Sequence, residues 1–285
     1  MEVLIRVMHL ACYIKNPVLR QDPQWLGLVS SLVGDGHVLE DVSGQEDVPP
    51  DTEMILSIGG DGTFLCAARM AVESDVPVLG VNLGRLGFLS ENSPSDVARA
   101  ISSGSWSVVH QPLLELSSEY AAVQSLSVES LWPYALNEIS LNRSGSAMIG
   151  VDVSLDGKAL PTYWADGMLV ATSSGSTAYS LSVGGPILTP EVRDLIVAPI
   201  APHNLNLRPL IVPSGCSVDI TLHSRDGKAM LSLDNRGFEV PDGIRFTVRS
   251  SGKALRRVRL DSADFVGALR SRLFWGEDVR NSTQR

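Results

Sequence analysis

The chain has 285 residues, 44% of them hydrophobic and 19% charged, with 23 Lys and Arg against 32 Asp and Glu for a net charge of −9. That length suits about two domains with ample core volume, and the apolar content excludes a disordered chain. The acidic balance, with no basic cluster beyond Arg256-Arg257-Val258-Arg259, argues against nucleic acid or an anionic membrane surface as partners.

In chain order, residues 1–14 read as a first strand, with 3–7 as its strand run. They open with Glu2 and lack a small-residue cleavage site, which is not a signal peptide. Residues 23–33 carry Trp25, Leu28, Val29 and Leu32 at helical spacing, and 54–58 form a short buried strand. A helix over 63–72, a strand over 77–81 and a helix over 94–102, capped by Ser93 or Ser95, complete an alternation that implies a parallel sheet with helices on its faces. Beyond residue 112 the rhythm changes. Val151, Val153 and Leu155 alternate with polar residues before Asp156-Gly157; Val218, Ile220 and Leu222 do so before Asp226-Gly227; Ile244, Phe246 and Val248 follow Asp242-Gly243. Period-two runs with such turns read as antiparallel β structure. Residues 173–183 read as a helix inside this β territory, and 264–273 as a final helix packing back on the first domain, followed by a polar tail from Glu277. The expected domains are therefore 1–111, joined by 252–285, and a β-rich 112–251. No apolar run reaches the roughly 18 residues of a membrane span; the longest, 195–201, is broken by Pro199. Cys12, Cys66 and Cys216 fit no metal spacing or disulfide framework and read as free thiols in a reducing cytoplasm.

Three stretches carry chemistry. The strand at 54–58 runs into Gly59-Gly60-Asp61-Gly62-Thr63 and then a helix. Strand, glycine turn and helix aim unpaired backbone amides at an anion. The turn is neither a Rossmann fingerprint nor a Walker A loop. Asp61 among those amides either accepts the proton of an attacking hydroxyl, helps hold Mg²⁺ on a triphosphate, or merely caps the helix. Ala165-Asp166-Gly167 precedes a strand and the hydroxyl-rich run Ser173-Ser174-Gly175-Ser176-Thr177-Ala178-Tyr179-Ser180-Leu181-Ser182, closed by Gly184-Gly185-Pro186. Hydroxyls and amides at a helix start cradle a ribose or diphosphate, and Tyr179 offers a face for a base; the alternative is a Ser-rich cap without a ligand. Asn137-Glu138 could read an adenine edge and ribose hydroxyls, or be an exposed strand pair.

Taken together these stretches resemble the NAD kinases. Gly59–Leu65 is similar to that family's GGDGT motif, Gly80-Val81-Asn82-Leu83-Gly84-Arg85-Leu86-Gly87-Phe88-Leu89 to its GxNxGxxGFL stretch, and residues 166–182 to DG…GSTAYSLS, with Asn137-Glu138, Pro202-His203 and Arg208-Pro209 also in place. GGDGT alone is shared with diacylglycerol and sphingosine kinases; the ordered set is specific. The resemblance implies an α/β domain followed by a β-rich domain, with ligand in the cleft between them. It also implies phosphoryl transfer from ATP or another donor to the 2′-hydroxyl of the adenosine ribose of NAD⁺. By position it makes Asp61 the proton acceptor, with Gly62 lining the site. Asn137, Glu138, Thr177, Ala178 and Tyr179 would hold the adenosine half within the run that continues through Ser180 and Leu181. Asp166 and Ser182 would face the nicotinamide end, with Ser174 nearby. It implies a divalent ion, Mg²⁺, held largely by the phosphates rather than by a protein cage, and a homodimer or homotetramer. Departures stand at Ser173-Ser174, where Thr-Pro is common, at Trp164, where many members carry a basic residue, and at Asp234-Asn235-Arg236, often Asp-Gly-Gln. In relatives that last loop reaches the dinucleotide of a neighbouring subunit, so Arg236 is either a phosphate contact across an interface or a solvated hairpin arginine. Arg85 would bind phosphate or a carboxylate of the fold, and His203 reads as structural. The competing functions are a lipid kinase sharing the glycine turn and a dinucleotide-binding sensor without catalysis.

Overall fold

A computed structural model describes residues 6–84, 87–118 and 132–276, which fall into two compact units: 1–110 with 255–285, and 111–254. In the first unit, strands β1 (His9–Ile14), β2 (Val38–Val42), β3 (Met54–Ile58) and β4 (Val78–Val81) pair in parallel in the order β4-β3-β1-β2. Helices α1 (Pro23–Gly34), α2 (Asp61–Ser74) and α3 (Pro94–Ser103) connect or follow them. Each helix start has a local cause. Asp22 accepts from the Gln24 amide with Pro23 behind it, and Ser93 accepts from the Asp96 amide with Pro94 behind it. The core joins Leu10, Cys12, Leu28, Leu32, Leu56, Ile58, Leu79 and Val97 with Val258 and Leu260 from the end of the chain.

The first strand lies later than the sequence run implied. Leu10, Ala11 and Cys12 are buried and pair on both sides, whereas Val7 is 51% exposed and precedes the strand; residues 3–5 lie outside the described residues. Burial on both faces of a parallel strand, not apolar content alone, decides its position. β2 gave no sequence signal because three of its five residues are exposed.

The second unit is mainly antiparallel. Its strands are β5 (Trp106–Ser117, which begins in the first unit), β6 (Tyr134–Ala135), β7 (Glu138–Arg143), β8 (Ile149–Leu155), β9 (Lys158–Ala159), β10 (Tyr163–Ala165), β11 (Gly167–Ala171), β12 (Leu195–Ile200), β13 (Leu210–Val212), β14 (Val218–Ser224), β15 (Lys228–Leu233), β16 (Arg236–Pro241) and β17 (Arg245–Leu260, which ends in the first unit). One sheet runs β13-β12-β11-β7-β15-β16, and in the other β8 lies between β10 and β14, with β14 against β17. Asp156 (φ 49°) and Gly157 (φ 76°) make the β8–β9 hairpin turn expected of that dipeptide. The two inner faces share one core that includes Ile139, Leu141, Val151, Val170, Val197, Val218, Leu231 and Phe246.

Residues 173–183 are not one helix. A 3₁₀ turn over Ser174–Thr177 breaks at Ala178 (φ −101°, ψ −130°) before a four-residue helix, α4 (Tyr179–Ser182). The Ser176 hydroxyl donates to the Ser173 carbonyl and Thr177 to that of Ser174, bonds that compete with a regular ladder. The final helix, α5 (Phe265–Leu273), starts where Asp264 accepts from the Val266 amide and belongs to the first unit, while the tail from Glu277 lies outside the described residues. No helix among the described residues is long and apolar enough to cross a membrane.

Candidate active site

In the first unit, β3 ends at Ile58 and α2 opens at Asp61 with Gly60 as its N-cap. The Thr63 and Phe64 amides bond the Gly60 carbonyl, and the helix start leaves the Asp61 and Gly62 amides without intrahelical acceptors. The Asp61 side chain does not cap its helix. It reaches instead to the segment after Gly87: Oδ2 accepts from the Phe88 amide at 3.0 Å, and Oδ1 from the amides of Leu89 at 3.0 Å and Ser90 at 2.8 Å. Successive amides converging on one anion form a nest. A carboxylate has about four acceptor positions, so three bonds fix its orientation and leave one position on Oδ2.

That segment is itself anchored. Asn82 donates to the Ser90 carbonyl and accepts from the Gly84 amide, Asn92 donates to the Gly80 carbonyl, and the Gly87 amide bonds the Ser90 carbonyl. A Cβ at Gly87 would overlap the Asp61 carboxylate. The motif glycine at 87 is therefore a close-approach position. Arg85 lies outside the described residues.

In the second unit, Asn137-Glu138 enters β7 beside β11 and β15. Here too a carboxylate collects three amides: Asp234 accepts from Leu136 at 2.8 Å, Asn137 at 2.8 Å and Glu138 at 3.2 Å. The Thr172 amide and hydroxyl bond the carbonyls of Asn137 and Leu136, and Gly175 packs so close to the Asn137 carbonyl that a Cβ there would collide with it. The 172–175 turn and the Asn-Glu pair are thus one rigid piece. The Asn137 Oδ1 and Glu138 Oε2 atoms are buried and have no hydrogen-bond partner among the described residues. Burial, followed by the neighbouring Asp234 charge, pushes the Glu138 carboxyl from its ordinary 4.5 up to about 8, opposed by the Tyr179 backbone amide. Asp234 is also raised, by burial first, against the pull of its three amides and Arg236.

Arg236 apart, the remaining sequence candidates stand at the two ends of β11, Asp166 before it and the others in the segment that follows. Ser174, Thr177, Ala178 and Tyr179 are half-buried, Ser180 is buried with its hydroxyl unpartnered among the described residues, Leu181 is half-buried and Ser182 exposed. The Tyr179 hydroxyl donates to Asn142 Oδ1 at 3.1 Å, and the side chain packs on the cluster of Leu169, Ala171 and Ile196. Asp166 Oδ1 accepts from Arg143 Nε at 2.7 Å. Arg236 donates to the carbonyls of Trp132 at 2.7 Å and Tyr134 at 2.5 Å, with its guanidinium 5.1 Å from the Trp132 ring. It is a bracing residue within its own unit rather than a solvated arginine. Sequence reasoning passed over Asn142, Arg143 and the acid of the 234–236 triplet, whose partners lie 23 to 98 residues away along the chain.

Profiles of the ATP-NAD kinase N-terminal and C-terminal domains match residues 37–104 and 136–260. A NAD kinase of Flavobacterium psychrophilum is 36% identical over 245 residues, covering 84% of this chain and 81% of the relative. One from Cytophaga hutchinsonii is 39% identical over 233 residues, covering 80% and 78%. The chain belongs to the NAD kinase family. Its fold is shared with the yeast NADH kinase complexed with NADH (TM-score 0.80, 24% identity, 97% of this chain and 90% of that one). It is shared as well with the NAD kinase from Archaeoglobus fulgidus in complex with ATP (TM-score 0.70, 24% identity, 89% and 93%). The NAD kinase profiles span both carboxylate-on-amide pieces: Asp61 with residues 88–90 in the first match, and Asp234 with residues 136–138 in the second.

Glu138 gives this NAD kinase family member a distinctive pH dependence of stability. Because its folded pKa is raised, its contribution favours folding below about 4.5 and is lost as the pH rises towards 8. Glu138→Gln, which mimics the protonated form, should match the parent in urea unfolding near about pH 4.5 and be the more stable near about pH 9. Parallel stability curves for the two proteins would show that Glu138 ionises normally.

Proposed function

We propose that this chain transfers a phosphoryl group from ATP or another donor to the 2′-hydroxyl of the adenosine ribose of NAD⁺, releasing NADP⁺. The observation that carries this reading is the pair of buried, unpartnered polar atoms on Asn137 and Glu138. Each such atom costs about 1–3 kcal/mol while unsatisfied, and adenosine offers both donors and acceptors to relieve that cost. In this reading Asn137, Glu138, Thr177, Ala178 and Tyr179 hold adenosine, with Ser180 and Leu181 as their support. Asp166, Ser174 and Ser182 serve the nicotinamide end. NADH and ATP, bound by the yeast and archaeal relatives respectively, are the ligand classes the proposal requires.

Asp61 takes the ribose proton on the open position of Oδ2 as the O–P bond forms and the bond to the leaving nucleotide breaks. A ribose hydroxyl is a poor nucleophile, so orientation and proton removal supply the rate. The exposed Gly62 amide at the start of α2 faces negative charge favourably. A divalent ion such as Mg²⁺ would neutralise phosphate charge as it develops. Asp61 fits at most one bond to such an ion, since three acceptor positions are occupied; the other ligands would be phosphate and water oxygens. A cytoplasmic, homo-oligomeric enzyme is part of this proposal, and the three free thiols suit a reducing compartment.

Purified protein incubated with NAD⁺, ATP and Mg²⁺ should form NADP⁺, read with an NADP⁺-specific dehydrogenase. Binding of NAD⁺ without NADP⁺ formation from any triphosphate or polyphosphate would overturn the kinase reading in favour of a sensor.

A further inference from the structure

We propose that Arg257 is a positioning residue for Asp61, acting through the two peptide groups that lie between them. The inference rests on the kinase reading above and concerns a residue outside every motif used for it. Arg257 is 9% exposed near the end of β17, where it pairs with Val78 of β4. Its Nη2 shares two hydrogens among three acceptors, the carbonyls of Phe88 and Leu89, both at 3.0 Å, and Glu91 Oε1 at 2.8 Å.

The pairing of these bonds matters. The Phe88 carbonyl and the Leu89 amide belong to one peptide plane, and the Leu89 carbonyl and Ser90 amide to the next. Each plane therefore accepts from Arg257 on one edge and donates to Asp61 on the other. In a trans peptide these two dipoles point the same way, so cation, peptide and carboxylate polarise in series. Two parallel bridges resist rotation of the segment about its own axis, and that rotation is the motion that would turn the amides away from the carboxylate.

Neighbouring side chains hold Arg257 in place. Its guanidinium lies 5.5 Å from the Phe64 ring of α2, and Glu91 is shared with Arg272 of α5, whose guanidinium lies 5.2 Å from the Phe88 ring. Burial works against the charged Arg257, and Glu91 and then Asp61 offset it. A buried cation with these partners is a costly element for a loop that only needed closing.

The test is a four-corner cycle of wild type, Arg257→Lys, Asp61→Asn and the double variant, with kcat and KM for NAD⁺ measured in each. Lysine keeps the charge beside Glu91, so the protein folds, but its shorter stem stops short of the point from which Nη2 meets both carbonyls and the carboxylate. Arg257→Lys should lower kcat about tenfold, with KM for NAD⁺ changed by no more than about twofold. In the Asp61→Asn background the same substitution should change kcat by less than about twofold, because the group it positions is gone. Equal loss in both backgrounds, a loss confined to KM, or unchanged kcat in Arg257→Lys would each overturn the proposal. Failure of the underlying reading shows separately, as no NADP⁺ from wild type or full turnover in Asp61→Asn.

Discussion

Asp61→Asn should reduce turnover by about 10²–10⁴-fold while leaving NAD⁺ affinity within a few-fold. The amide removes the proton acceptor. It also replaces one carboxylate oxygen with a donor, and the three main-chain amides of residues 88–90 can be met by one remaining oxygen only in part. Circular dichroism and NAD⁺ titration alongside the kinetics separate these effects. A folded, NAD⁺-binding variant with lost turnover is the expected outcome. Turnover equal to that of the parent would reduce Asp61 to a brace for the 88–90 segment.

Gly87→Ala should produce a loss of comparable kind without touching any charged group. The added methyl overlaps the Asp61 carboxylate, so either the carboxylate or the segment must move. A displacement of about 1 Å at a reacting group costs on the order of 10²-fold, and kcat should fall accordingly. Gly84→Ala is the matched control. Its nearest neighbour is Asn82 Oδ1 at 3.9 Å, ordinary contact distance, and its kcat should stay near that of the parent. Equal kcat in both variants would mean that the carboxylate tolerates displacement and does not take the ribose proton.

Much of the architecture was legible in the chain because its causes are local. Prolines 23 and 94 with the acceptors before them start two helices, and Asp156-Gly157 makes its hairpin from its own dihedral preferences. The family resemblance likewise rests on contiguous motifs, and the Asn137-Glu138 pair and the Gly59–Thr63 turn stood out in them. The support for these residues was not legible. Asp61 finds its amides 27 to 29 residues on, and Asp234 lies 96 to 98 residues from the amides it holds. Arg257 acts on carbonyls 168 and 169 residues earlier. A side chain bonding a distant main chain leaves no periodicity, because its partner contributes a peptide group that every residue possesses. The broken helix at 174–182 escaped for a related reason: serine and threonine hydroxyls chose nearby carbonyls over the regular ladder.

Because the groups gripping Asp61 belong to the main chain, the side chains at 88, 89 and 90 are not what specifies the grip. A substitution there that respects the packing of the buried Leu89 and Ser90 leaves the acid seated, whereas a proline deletes a donor. The arrangement thus separates inheritance of the reacting geometry from the letters written across it.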